Sequence, residues 1–311
     1  MKKLLFSSAL TFSSLIASSA AIAGPGQPLN TPFYATPTGL NTVNHCNTSV
    51  SDCPITPTKF SAKIYRVALC TSNPMASGKT IVDWAGNGCV DVYSSTAGEE
   101  TGDIFSSTGA TLSAENISIP TIGEYSYVAA LFDKDFKVGS HHMVYGAGAG
   151  PLNGIRYVST SSGGAKAGAV GDEEMLTGEF NTFMPAIACS NGAGETTRTA
   201  TTSLGSSSNY GNFISSGESF YGRILKSNYE LATGDVGNIN NNTASCLGAT
   251  YLLSIVDKTT DITASTTGIH LKILAPTGLI RVDQGNAGNG VATGFTAHGD
   301  SMAVNVLPLT Q

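Results

Sequence analysis

The first 23 residues, set against six cysteines, constrain this chain most. Lys2 and Lys3 lead into an apolar stretch from Leu4 to Ile16, small residues run through Ala21-Ile22-Ala23, and Gly24-Pro25-Gly26 follows. A charged start, an apolar centre and an A-x-A site predict a signal peptide over 1–23. Export would carry Cys46, Cys53, Cys70, Cys89, Cys189 and Cys246 into an oxidising compartment, where an even cysteine count predicts disulfides. Sequential pairing (Cys46–Cys53, Cys70–Cys89, Cys189–Cys246) is the simplest of many connectivities. The last pair would close a long loop, worth about 4 kcal/mol if chain entropy dominates. No C-x-x-C and no His/Cys cluster at ligand spacing occurs, so the cysteines read as staples and not as zinc ligands.

The chain carries few charges: 12% of its residues are charged, while Ser, Thr, Asn and Gly carry the polarity, a wet but weakly charged surface of the kind common in extracellular β-proteins and assembly subunits. The net charge of −6 becomes −8 once the two leader lysines are removed. With no Lys/Arg cluster, no nucleic-acid partner is expected. Past residue 23 no apolar run approaches the roughly 18 residues of a membrane-spanning helix. A transmembrane β-barrel is disfavoured by the cysteines, by 8% aromatic content, and by the ending Leu307-Pro308-Leu309-Thr310-Gln311 without a terminal aromatic.

Residues 24–58 are studded with Pro, Thr and Asn. Each proline removes a ladder donor and biases its predecessor to extended backbone, which predicts an extended arm. A first β-rich region over 59–145 starts with the strand Phe60–Cys70 and a short strand Cys89–Tyr93. It ends in a predicted hairpin, Tyr125–Phe132 and Phe136–Tyr145, turning at Asp133-Lys134-Asp135. Residues 146–190 read as a Gly/Ala/Ser-rich loop or junction with one short helix. Asp172–Met184 is the helix candidate, with acids in its first turn, Leu176, Phe180, Phe183 and Met184 at helical spacing, and Pro185 as the stop. A second β-rich region over 191–311 contains Thr250–Val256, Ile269–Ala275, Leu279–Asp283 and Ser301–Leu307. Short strands and frequent turn signals predict an all-β chain. The expected form is an antiparallel β-sandwich, one large or two joined, with long Gly/Ser/Thr-rich loops and at most one short helix.

Chemistry-bearing residues are sparse. His141-His142 is the one histidine pair, and strand alternation would send the two rings to opposite faces of a sheet surface. His298-Gly299-Asp300-Ser301 holds the residue types of a hydrolase triad, but three neighbours in one turn cannot form its relay, and no G-x-S-x-G elbow occurs. The carboxylates Asp172, Glu173, Glu174 and Glu179 are sequence neighbours, not a pair facing across a cleft. Asp235, Asn238 and Asn240 offer oxygen donors for Ca²⁺ without the EF-hand pattern. Trp84, Tyr210 and Tyr221, with Tyr229, are candidates for a sugar-stacking face. No cofactor is expected. These features rank a non-enzymatic structural or adhesive subunit of the cell surface, extracellular space or periplasm first, self-associating or touching other surface proteins and glycans. A carbohydrate- or ligand-binding module comes second and a secreted hydrolase last.

Overall fold

The fold is built from β-prone runs bounded by turn residues, the central ones apolar on both faces. A computed structural model describes residues 52–55, 57–76, 79–104, 112–145, 151–179, 187–188, 219–234, 246–274, 280–283, 291–297 and 303–310. In chain order the strands are β1 (Asp52–Ile55), β2 (Lys59–Cys70), β3 (Val90–Glu100), β4 (Gly123–Gly139), β5 (His141–Tyr145), β6 (Pro151–Ser159), β7 (Ala165–Ala167), β8 (Leu176–Glu179) and β9 (Ile187–Ala188). There follow β10 (Ser219–Leu225), β11 (Thr233–Gly234), β12 (Cys246–Leu247), β13 (Tyr251–Ile262), β14 (Thr266–Leu274), β15 (Ile280–Asp283), β16 (Gly294–Ala297) and β17 (Ala303–Thr310). Among the described residues the only helical piece is a 3₁₀ turn, Ala114–Asn116. The class is all-β. No helix among these residues is long and apolar enough to cross a membrane.

The largest sheet has the order β3-β2-β4-β13-β10-β9, with β8 also pairing β4. Its ladders are antiparallel except β9 on β10. Smaller antiparallel sheets are β1-β15-β16, β5-β6-β7, β14-β17 and β11-β12. The main sheet is apolar on both faces. One face carries Ile64, Val67 and Leu69 of β2, Val128, Ala130 and Phe132 of β4, and Leu252 of β13. These share a core with Ile269 and Leu271 of β14 and Val304 and Val306 of β17. The other face carries Ala68, Ala129, Leu131, Leu253 and Ile255, covered by Met75 and Val82 from the β2–β3 connection and by Leu231. Burying each large aliphatic or aromatic side chain is worth about 1.5–3 kcal/mol, so two lined faces make this sheet the main source of stability.

Asp133-Lys134-Asp135 does not turn the chain. β4 runs unbroken from Gly123 to Gly139, and the three residues form an irregularity in it. β2 advances from Ala62 to Ile64 while β4 covers Phe136 to Phe132. The aspartate still makes a local bond, Asp135 N–H to Asp133 Oδ1 at 3.1 Å, but within a bulge. Phe132 and Phe136 flank the bulge and enter the same core. Lys134 also marks a change of neighbour: β13 pairs β4 up to Asp133, and β8 takes over from Asp135.

The expected helix over 172–184 is replaced, in its described part, by β8. Its burial alternates, with Leu176 and Gly178 inside and Thr177 and Glu179 outside. A Cβ on Gly178 would lie 2.5 Å from Phe136 Cζ and 2.6 Å from Ala297 Cβ, so the glycine serves close strand packing. Residues 180–184 lie outside the described part. The Gly/Ala/Ser-rich stretch expected as loop instead contains β6 and β7. At the end of the proline-rich segment, β1 is an edge strand paired with β15, with Pro54 opposite Arg281. An edge is where a strand tolerates proline.

Candidate functional site

One aromatic-rich face forms where β2, β13 and two loops meet. It begins with the irregular register of β2 between Ile64 and Arg66. A bulge lets sequence neighbours project to one side. Tyr65 packs against the cluster of Ala68, Leu131 and Leu253, and the Arg66 guanidinium lies 4.1 Å from the ring centroid of Trp84, which packs on that same cluster. Arg66 Nε also donates to Asp91 Oδ1 at 2.5 Å. Trp84 is held by its loop. A disulfide joins Cys70 at the end of β2 to Cys89 just before β3, Met75 is fully buried, and Cys89 N–H donates to Trp84 O at 3.0 Å.

The second loop is the turn between Leu225 and Leu231, closed by Tyr229 N–H to Lys226 O at 3.0 Å and Lys226 N–H to Glu230 O at 2.7 Å. Tyr229 has φ of 65°, the one non-glycine in the left-handed region among the described residues. That position of a hairpin turn is where glycine costs nothing, and a bulky residue there costs on the order of 1–2 kcal/mol. The ring stacks on Tyr251 at 5.6 Å with planes 20° apart, and Tyr229 remains 40% exposed. Tyr251 meets Tyr65 edge-on at 5.0 Å. Such contacts return about 0.5–1.5 kcal/mol each.

Polar groups rim the stack. Tyr65 O–H donates to Asp133 Oδ2 at 3.0 Å, and Lys63 Nζ stands 5.2 Å from the Tyr65 ring centroid. Burial, then the hydrogen bond to Asp133, pushes the Tyr65 phenol up; burial, then Tyr229 and Asp133, pushes Tyr251 up. Both phenols stay protonated and can donate. The arrangement provides flat apolar rings beside fixed donors and acceptors. It suits binding.

A second cluster lies where β2, β5 and the segment before β8 converge. His141 Nδ1 bonds Glu173 Oε1, and both side chains are nearly fully buried. Lys59 Nζ donates to Glu173 O at 2.6 Å and Gly171 O at 3.0 Å, and Gly171 N–H donates to Glu173 Oε2 at 2.8 Å. Burial pushes the Glu173 carboxyl up, but its backbone bonds and His141 outweigh that and hold it below the usual range. His141 is lowered by burial, against the pull of Glu173. The histidine pair is therefore not on a sheet surface. His141 and His142 are 4% and 1% exposed, because the segment 171–174 is bonded over β5 and β6, with Ser159 Oγ donating to Glu174 O at 2.7 Å. The saturated bonding of Glu173 marks this cluster as a clamp.

The remaining sequence candidates disperse. Tyr221 lies in β10 opposite Ile255, within the main sheet. Cys53 lies in β1 opposite Val282, and Cys246 is disulfide-bonded at the start of β12. Tyr210, Asp235, Asn238, Asn240, Cys46, Cys189 and His298-Gly299-Asp300-Ser301 lie outside the described residues. Among the described residues no group of three His, Cys, Asp or Glu side chains could hold a metal. Sequence reasoning missed Tyr65, Arg66 and Tyr251, which lie inside strands and reach this face only through the β2 bulge and the β4–β13 ladder. No protein family, curated protein or solved structure matches this chain.

Proposed function

We propose that this chain is an exported, disulfide-stapled protein that serves as a self-associating structural or adhesive subunit at the cell surface or outside it, without catalysis. The observation that supports this best is the terminal strand. Among the described residues β17 pairs with β14 alone, and no described strand lies on its other edge. Its alternation buries Val304 and Val306 and leaves Leu307 39% and Leu309 49% exposed. An open edge carrying exposed aliphatics is a template for strand addition. Pro308 lacks a donor, so a neighbour would pair along Ala303–Leu307.

Sedimentation and negative-stain imaging of residues 24–311 test this. Large species are expected, and Leu307→Lys with Leu309→Lys should dissolve them. An N-terminal truncation that begins at Cys46 keeps Cys46, Cys53 and β1 and asks whether the preceding arm contributes. A strictly monomeric mature protein at high concentration would sink the assembly. A second reading, a saccharide- or ligand-binding module, is favoured by the exposed Tyr229 stack.

A further inference from the structure

We propose that Tyr229, Tyr251 and Tyr65 form a platform for a neutral pyranose, with Tyr229 as the ring that the sugar covers. The proposal rests on the second reading above and assigns its site. The first argument is the conformation of Tyr229. An aromatic residue occupies a left-handed turn position that glycine or asparagine would fill without strain, and it remains 40% exposed there. Strain without full burial is a mark of residues kept for contact with something else.

The second argument is presentation. The turn is bonded to itself and to the disulfide-closed loop, with Val82 N–H donating to Tyr229 O at 3.2 Å and Leu231 N–H to Thr80 O at 2.9 Å. Tyr251 backs the ring from below. A platform fixed before binding loses little conformational freedom on contact. The third argument is chemical match. A pyranose has an apolar C–H face with slight positive charge, complementary to the negative face of a phenol ring, and an equatorial edge of hydroxyls. Here Asp133 and Lys63 border the Tyr65 ring, and the turn that carries Tyr229 also carries the Lys226–Glu230 pair, whose Nζ and Oε2 are 3.7 Å apart. Those groups supply donors and acceptors at the edge of an apolar centre, the pattern of small-ligand sites.

The test uses the mature chain and a panel of immobilised and soluble oligomers of glucose, N-acetylglucosamine, mannose and galactose. Trp84 is the only tryptophan and packs on the same cluster as Tyr65 and Tyr251, so its emission reports this face. At least one series is expected to be retained and to shift Trp84 emission on titration. Tyr229→Asn, which accepts the turn conformation, should weaken binding on the order of tenfold or more while the thermal midpoint holds or rises. Tyr229→Gly should do the same. If no oligomer binds, both the platform and the saccharide reading fail. If one binds and both variants keep its affinity, the platform fails and the saccharide reading stands.

Discussion

His142 is almost completely buried, and burial, helped by the neighbouring His141, pulls its pKa from 6.5 to about 4. The ring is neutral in the native state at neutral pH. Between pH 6.5 and 4 the unfolded chain binds a proton there that the folded chain refuses, so stability falls as pH falls through that window. The loss from this one group is roughly 3 kcal/mol. His141 is also lowered and adds in the same direction, while the depressed Glu173 carboxyl gives stability above its ordinary value of 4.5 that is lost on further acidification. Urea midpoints measured from pH 7 down to pH 4 should drop steeply, and His142→Gln should flatten the upper part of that slope. An unchanged slope in the variant would place the acid sensitivity elsewhere.

At the scale of elements, Gly178 separates two readings of one segment by sign. In a helix interior Gly178→Ala would stabilise by about 1 kcal/mol. In β8 the added Cβ meets the Phe136 ring and Ala297, and the substitution should destabilise by about 1–3 kcal/mol in urea titration. The same segment shows what the sequence could and could not disclose. The all-β class was legible because Phe60–Cys70, Tyr125–Phe132 and Thr250–Val256 are short β-prone runs with apolar residues on both faces, and they fall in β2, β4 and β13. Leu176, Phe180 and Phe183 also satisfy a helical period, and only the tertiary partner of Gly178 decides the matter. Asp133-Lys134-Asp135 has turn chemistry, but a bulge at a place where β4 changes neighbours uses the same chemistry. Of the aromatic face, Trp84 and Tyr229 could be named from residue type, whereas Tyr65 and Tyr251 join them only through a bulge and a ladder that sequence does not print. The loop carrying Trp84 depends on its staple: Cys70→Ser with Cys89→Ser should cost about 3 kcal/mol for a closed loop of separation 19 and red-shift Trp84 emission.

For the whole molecule, the seam that matters is β4 against β13. It joins a strand before the Gly/Ala/Ser-rich stretch to one far beyond it, in register from Tyr251 opposite Asp133 to Asp257 opposite Tyr127. Both cores cross this seam. Val128, Ala130 and Phe132 share one with Leu252, and Ala129 and Leu131 share the other with Leu253 and Ile255. A fragment of residues 24–145 would keep β2 beside β4 but lose β13 from the other edge of β4, with much of the lining of both faces, leaving an open apolar edge. Ladder bonds and apolar burial would be lost together, which is the physical basis of cooperativity. The full mature chain is expected to unfold in one transition, with Trp84 fluorescence and far-UV circular dichroism coinciding in urea. The 24–145 fragment should show no cooperative transition and should aggregate. Two separated transitions in the full chain, or a cooperatively folding fragment, would mean that the β4–β13 ladder joins two independent units instead of forming the centre of one.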